Sequence, residues 1–173
     1  MRFLLILLIC LPFSTLVAET VLDVAREHVT HLLARDIEEL PKNYADEFEL
    51  LPGHQFADPK HGLAEVEPVG EPVRVSKAAY MNAFRFSAAR RRQPDKRQIM
   101  AMVPLFRFEV LPSKDGQFQT EASKRVNTPD GKLTLEVKPG DKVVRVSPRR
   151  AHFIVLQMRK VGGSWKVVAE YFS

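Results

Sequence analysis

Cysteine is nearly absent from this sequence, whose 173 residues contain only Cys10. Cys10 lies within the apolar run that follows Met1 and Arg2, with Ile9 before it and more apolar residues after it. A lipid-carrying cysteine would instead follow a small residue near the end of such a run. A chain without this segment can form no disulfide and offers no thiolate for catalysis.

A hydrophobic run long enough to span a membrane is also lacking. The run from Phe3 to about Val17 is interrupted by Pro12, and crossing a bilayer takes roughly 20 apolar residues. One positive charge before the run and Leu16-Val17-Ala18 at its end are typical of a secretory signal peptide. We predict a signal peptide over residues 1–18, cleaved after Ala18, with a retained N-terminal anchor as the alternative. Residues 19–173 are then one domain, secreted or periplasmic, with no stable membrane anchor.

Charge of one sign is in only mild excess. The formal net charge is +5, and removal of Arg2 with the signal peptide lowers it by one. Most of the excess lies in the basic run from Arg85 to Arg97, which lacks the interleaved aromatic residues of nucleic-acid-binding surfaces. We therefore predict no nucleic-acid partner. The run is interpreted as a solvated helix end and loop, with an electrostatic patch for a partner as the alternative.

Several catalytic and cofactor motifs are missing as well. The sequence has no glycine-rich phosphate loop, no catalytic-serine motif and no zinc-protease helix motif. No cofactor is predicted.

The C-terminal stretch from Ala151 to Ser173 predicts a β-hairpin. Two runs of alternating residues flank Gly162-Gly163, which is typical of a tight turn. Strict alternation would place Trp165, Val167, Ala169 and Tyr171 on one face of the second strand. The first strand is apolar on both faces, so we expect it to be central.

Three helices are predicted upstream. Thr20 followed by Asp23 indicates a capped start for a helix over Val21 to about Arg35. A second, shorter helix is predicted over Asp36 to Tyr44. The third is capped by Ser76 and ends in Arg90-Arg91-Arg92 before Pro94.

Strands are predicted at Glu47–Leu51, Met100–Leu111, Gln117–Val126 and Val143–Val146, in addition to the hairpin. The segment from His54 to Val75 is predicted to be a long ordered loop or a pair of short strands. Helices followed by a meander of strands predict an α+β fold, with the N-terminal helices packed on the concave face of one curved antiparallel sheet.

Two segments resemble nuclear transport factor 2-like domains, the superfamily that includes SnoaL-like cyclases and ketosteroid isomerases and shares a cystatin-like α+β fold. Ala34–Leu40 leading into Tyr44–Phe48 resembles their first helices and strand, and Gly163–Tyr171 resembles their last strand. The resemblance implies a cone-shaped fold with a pocket between sheet and helices. Members use the pocket as an enzyme site, as a ligand site or as core, so the fold does not choose among these.

Polar and apolar side chains on the predicted concave face are candidates for binding a small apolar ligand. The candidate ligand-binding residues are His152, Ile154, Met158, Glu170, Tyr80 and Phe84. We expect His152 and Glu170 to lie within hydrogen-bonding reach across the hairpin, because buried polar groups need partners.

Steroid-isomerase-like catalysis would need a carboxylate base and a tyrosine in an apolar pocket. The candidate catalytic residues are Asp58, Glu170, His152 and Tyr44; Asp36, Asp46, Tyr80 and Tyr171 are further acids and hydroxyls, with Asp46 interpreted as a turn or capping residue. His54, Asp58 and His61 are close enough in sequence to be considered as zinc ligands, but they are interpreted as polar surface residues, so no metal site is predicted.

The sequence thus predicts an exported domain that binds a small ligand or a protein partner, without identifiable catalytic apparatus. The alternatives are an enzyme with a carboxylate base and a tyrosine in the cone, and a structural module that forms a homodimer through its open sheet face.

Overall fold

The computed structural model of the protein describes residues 19–50, 57–58, 62–63, 73–90, 94–121, 132–148 and 153–172. The predicted signal peptide, residues 1–18, lies outside these ranges. Within them, no helix has the length and apolar character needed to cross a membrane.

Ten strands and three α-helices form the described structure. The helices are α1 (Val21–Ala34), α2 (Lys77–Arg90) and α3 (Lys96–Met102), and the strands are β1 (Tyr44–Leu50), β2 (Ala57–Asp58), β3 (Gly62–Leu63), β4 (Val73–Ser76), β5 (Arg107–Leu111), β6 (Gln117–Glu121), β7 (Lys132–Glu136), β8 (Lys142–Ser147), β9 (Ile154–Val161) and β10 (Ser164–Phe172).

Six strands form the main sheet in the order β4-β1-β10-β9-β8-β5, so the predicted C-terminal hairpin is central, as expected. All neighbours pair antiparallel except β1 and β10, which are parallel. Two small hairpins, β2–β3 and β6–β7, stand apart from this sheet. The predicted α+β fold class is confirmed.

Both main helices begin with the caps that the sequence predicts. Thr20 Oγ1 accepts from the backbone N–H of Asp23 at 3.2 Å, while the Asp23 carboxylate accepts from the backbone N–H of Thr20 at 3.3 Å. Ser76 Oγ accepts from the backbone N–H of Ala79 at 3.2 Å. These bonds satisfy amides that have no partner inside the helix.

A β-bulge in β10 decides which residues face the helices. Val167 pairs with Met158 and Ala169 pairs with Gln157, so Val168 is an extra residue. An extra residue reverses the alternation of a strand. Strict alternation was therefore wrong: Trp165 and Val167 pack toward the helices, whereas Ala169 and Tyr171 lie on the opposite face.

The sheet thus has an inner face, against α1 and α2, and an outer face. The inner core contains, among others, Val24, Leu32, Phe48, Met81, Val144, Ile154, Leu156, Met158 and Val167. On the outer face, the β6–β7 hairpin packs Phe118 and Leu135 with Val143, Phe153, Val155, Ala169 and Tyr171.

Two predicted elements differ from the structure. The strand expected over Met100–Leu111 begins only at Arg107, because Asp95 caps α3 through the backbone N–H of Arg97 at 2.9 Å and Pro104 opens a 3-10 turn. The helix expected over Asp36–Tyr44 is only a 3-10 turn at Leu40–Asn43, and Tyr44 already belongs to β1.

Candidate functional site

Three polar side chains from distant parts of the chain meet on the inner face; we call His28, Tyr44 and Glu170 the inner polar cluster. Glu170 Oε2 lies 2.6 Å from His28 Nε2 and accepts a hydrogen bond from the Tyr44 hydroxyl at 2.8 Å. None of the three is more than 1% exposed. The cluster is therefore isolated from bulk water.

Local structure places each member. His28 follows Val24 by one helical turn and precedes Leu32 by another, so it lies on the buried stripe of α1. Tyr44 is the first residue of β1, where the 3-10 turn ends. Glu170 lies two residues beyond Val168, and the bulge turns its side chain inward.

The proton of the Tyr44 hydroxyl has a defined position in the cluster. Burial raises the pKa of Tyr44 well above its ordinary value, and the charge of Glu170 and hydrogen bonds with Glu170 and Tyr80 raise it further. Tyr44 therefore stays protonated and donates to Glu170. The same Glu170 oxygen also makes the hydrogen bond with His28 Nε2.

The second ring nitrogen of His28 is enclosed in the core. His28 Nδ1 is buried and has no hydrogen-bond partner among the described residues. A buried polar atom without a partner is uncommon and often marks a functional site.

Aromatic side chains surround the cluster. Tyr44 stacks on Phe48 with ring centroids 4.2 Å apart and meets the Tyr80 ring edge-to-face at 5.5 Å. Tyr80 stacks on the half-buried Phe84 at 6.0 Å. Burial raises the pKa of Tyr80, and the charge of Glu170 raises it further. The hydrogen bond with Tyr44 has the opposite, smaller effect. The polar cluster is thus set in an apolar, aromatic wall.

Several residues predicted from the sequence lie together here. Ile154 and Met158 are buried in the same inner core, as are Tyr80 and, half-buried, Phe84. Their role in binding remains a prediction. His152 lies outside the described residues, so its expected contact with Glu170 stays a prediction. Glu170 bonds to His28 and Tyr44.

The other candidates are elsewhere. Asp36 pairs with Lys96 at 2.8 Å, and Tyr171 lies on the outer face. Asp46 was interpreted as a turn residue, but it lies in β1 and pairs with Lys77 at 2.7 Å.

The possible zinc ligands cannot be placed together. Asp58 belongs to β2, but its side chain, like His54 and His61, lies outside what the structure describes. Within the described ranges, no three His, Cys, Asp or Glu side chains are grouped closely enough to hold a metal ion.

Sequence reasoning did not select His28. The signal was present, because His28 falls between Val24 and Leu32 on the apolar stripe of α1. A titratable side chain in the middle of such a stripe must find a polar partner in the core.

Comparisons with known proteins give distant structural neighbours, among them the following two. An NTF2-like protein of unknown function from Pseudomonas putida KT2440 is 14% identical, with a TM-score of 0.42, over 87% of this chain and 80% of its own. A protein of unknown function with a cystatin-like fold from Nostoc punctiforme PCC 73102 is 12% identical, with a TM-score of 0.30, over 87% of this chain and 84% of its own.

No protein-family model matches the chain, and no curated protein matches it. The descriptions of both structural neighbours agree with the resemblance inferred from the sequence. The chain itself is an α+β domain.

Proposed function

We propose that this protein is an exported binding domain whose inner polar cluster anchors the polar group of a small, largely apolar ligand. The observation that carries the proposal is His28 Nδ1, a buried atom without a partner among the described residues, beside the Glu170 carboxyl group in an aromatic wall. Export follows from the signal peptide predicted over residues 1–18.

The energetics of the cluster favour a binding role. Removing a carboxylate from water costs several kcal/mol, and apolar packing of similar volume would often be as stable. Tyr44 and His28 offset this cost through charge-assisted hydrogen bonds. A ligand hydroxyl or amide that donates to Nδ1 would complete the cluster.

Apolar contacts would come from the same side of the sheet. Phe84 and Phe172 are half-buried against the inner core and come from α2 and β10. Ligand sites are mostly apolar, with a few convergent polar groups, and this arrangement has that composition.

An enzyme is the second candidate, because the acid and the tyrosine that it requires are 2.8 Å apart in Glu170 and Tyr44. Glu170 Oε2, however, already makes hydrogen bonds with His28 and Tyr44. A catalytic base must instead reach the proton that it removes.

A homodimer through the outer face is the third candidate. It would have to use the part of the outer sheet face that the β6–β7 hairpin leaves uncovered.

Native mass spectrometry of residues 19–173, purified from the producing organism, tests the proposal. We expect an added mass that is lost on denaturation. Tyr44→Phe removes the hydrogen bond that positions Glu170 beside His28 and should weaken retention by about tenfold at most, since a typical hydrogen bond contributes about 0.5–1.5 kcal/mol. Tyr171→Phe makes the same change on the outer face and should keep the ligand. A bare wild-type protein, or equal retention in both variants, would contradict binding at the cluster.

A further inference from the structure

An open cleft of about 400 Å³ lies on the outer face, beside the β6–β7 hairpin. Its floor crosses the main sheet: Glu47 and Glu49 come from β1, Val168 is the bulged residue of β10, and Arg159 comes from β9. Glu136 and Lys138, at the end of β7 and in the turn that follows, form one wall. The cleft is separate from the inner polar cluster, which lies on the other face.

Register explains why charged groups gather here. Arg74 pairs with Glu49, and Ala169 lies between Glu49 on β1 and Gln157 on β9. Ala169 is an outer-face residue, so Glu49 and Gln157 are on that face too. Glu47 lies two residues before Glu49, and Arg159 lies two residues after Gln157, so both share this face.

Arg159 is held in place from behind by a buried carboxylate. Its Nε and Nη2 donate to the two oxygens of Asp141 at 2.8 and 2.7 Å. The Asp141 side chain is 1% exposed, whereas that of Arg159 is 33% exposed. A bidentate pair fixes the plane of the guanidinium, so little freedom is lost when Arg159 binds another group.

Gln157 completes this support. Its side-chain amide donates to Asp141 at 2.8 Å and to the backbone oxygen of Glu136 at 3.0 Å, so it ties the floor to the wall. The backbone N–H of Lys138 also donates to Asp141, at 3.3 Å. Within the part of the chain described, no hydrogen bond engages Nη1 of Arg159.

The β1 side of the floor carries Glu47 and Glu49, with Arg74 Nη2 3.6 Å from Glu49 Oε1, and the β9 side carries Arg159, with Glu136 and Lys138 on the adjoining wall. Glu47 and Glu49 belong to β1 and Arg159 to β9, and one strand lies between, so the two sides are about 10 Å apart. The hydrogen bonds from Arg159 to Asp141 raise the pKa of Arg159, and the charges of Asp141 and Glu49 raise it further. Burial acts in the opposite direction and lowers this pKa. An anion at Arg159 would therefore also meet carboxylates, and a cation at Glu47 would meet Arg159.

We propose that this cleft binds a small zwitterion of the amino-acid or dipeptide class. The ligand carboxylate would bind the open edge of Arg159, together with Lys138. The ligand ammonium would bind Glu47, because Glu49 is already paired with Arg74, and Val168 would lie beneath the chain that joins the two groups. A molecule with both charges satisfies both sides, whereas an ion of either sign alone leaves one side repelled.

Amide NMR spectra of residues 19–173, titrated with L-alanyl-L-alanine, test the proposal. We expect shifts at the amides of Glu47, Glu49 and Arg159. N-acetyl-L-alanyl-L-alanine, which keeps only the carboxylate, and L-alanyl-L-alaninamide, which keeps only the ammonium, should each bind about tenfold or more weakly.

Variants locate the site without disturbing the buried Asp141. Glu47→Gln removes a cleft carboxylate from an exposed position and should weaken dialanine binding by about tenfold. Glu38→Gln makes the same change at an exposed position after α1 and should leave binding unchanged. Equal binding of the acetylated peptide would overturn the zwitterion assignment. No shifts at the cleft amides up to about 10 mM dialanine, which is weaker than ordinary specific binding, would overturn the site.

Discussion

His28 Nε2 and Glu170 Oε2 lie 2.6 Å apart, although 142 residues separate them in sequence. The contact joins the first described helix to the last strand, and both side chains are fully buried. It therefore links the two ends of the domain through a polar bond in an apolar core, and substitutions there should affect folding and binding together.

Removing one member of this pair should be more costly than removing both. His28→Leu leaves Glu170 with Tyr44 but without its imidazole partner, and leaving a buried polar group without one of its hydrogen-bond partners costs about 1–3 kcal/mol. In His28→Leu/Glu170→Leu no buried carboxylate remains, so we expect part of this loss to be recovered. Urea unfolding of wild type, both single variants and the double variant measures the coupling. A cost below about 1 kcal/mol for His28→Leu would contradict a buried hydrogen bond between His28 and Glu170.

Acid should remove the stabilisation that Asp36 provides. The pKa of Asp36 is lowered from 3.8 to about 2, mainly by the hydrogen bond from Lys96. Burial alone would raise this pKa, and a hydrogen bond from the backbone N–H of Glu39 lowers it further. A carboxyl group whose pKa is lower in the folded protein stabilises it above the unfolded value, near pH 4, and loses this effect as the pH falls through about 2.

Asp36→Asn should accordingly lower the free energy of unfolding at neutral pH by about 1–2 kcal/mol, a figure reduced because Lys96 is exposed. The difference from wild type should shrink as the pH falls from about 4 to about 2. Asp46→Asn is the matched control: Asp46 also pairs with a lysine, but its side chain is 94% exposed, so the effect should be smaller. A difference that is independent of pH would exclude the ion pair as its cause.

The turn of the central hairpin should tolerate only residues that adopt positive φ. Gly162 and Gly163 have φ of 60° and 86°, and nothing lies within 4 Å of a Cβ added at Gly162. Backbone conformation alone therefore sets the cost of a substitution there. Gly162→Val should lower the free energy of unfolding by about 1–2 kcal/mol, and Gly162→Asn by clearly less. Equal thermal shifts for the two variants would contradict this assignment.

Local signals in the sequence predicted much of the fold. The caps at Thr20 and Ser76 and the glycines at the hairpin turn are short-range features, and each lies where it was expected. The segment from Met100 was wrongly predicted to be a strand, because its apolar residues suit a strand as well as a helix. The cap at Asp95 and the 3-10 turn at Pro104 make its first part helical.

The candidate site was predicted only in part, for a reason that lies in β10. Glu170, Tyr44 and Tyr80 were selected as polar residues of the concave face, and they do lie together. The extra residue at Val168 cannot be recognised from alternation, yet it determines which face Glu170 occupies. His28 was missed because its partner is distant in sequence, and Asp141 and Arg159 were missed for the same reason.

The most direct test of the proposed function is a measurement on the ring nitrogens of His28. The chain contains five histidines, so long-range ¹H–¹⁵N spectra of histidine-labelled protein can be assigned residue by residue. The protein as purified from its own organism would be compared with the same sample after denaturation, removal of released small molecules and refolding. We predict that the Nδ1 signal of His28 differs between the two samples, while that of His31 stays the same. An unchanged His28 signal in a sample that carries a bound mass would contradict binding at the inner polar cluster.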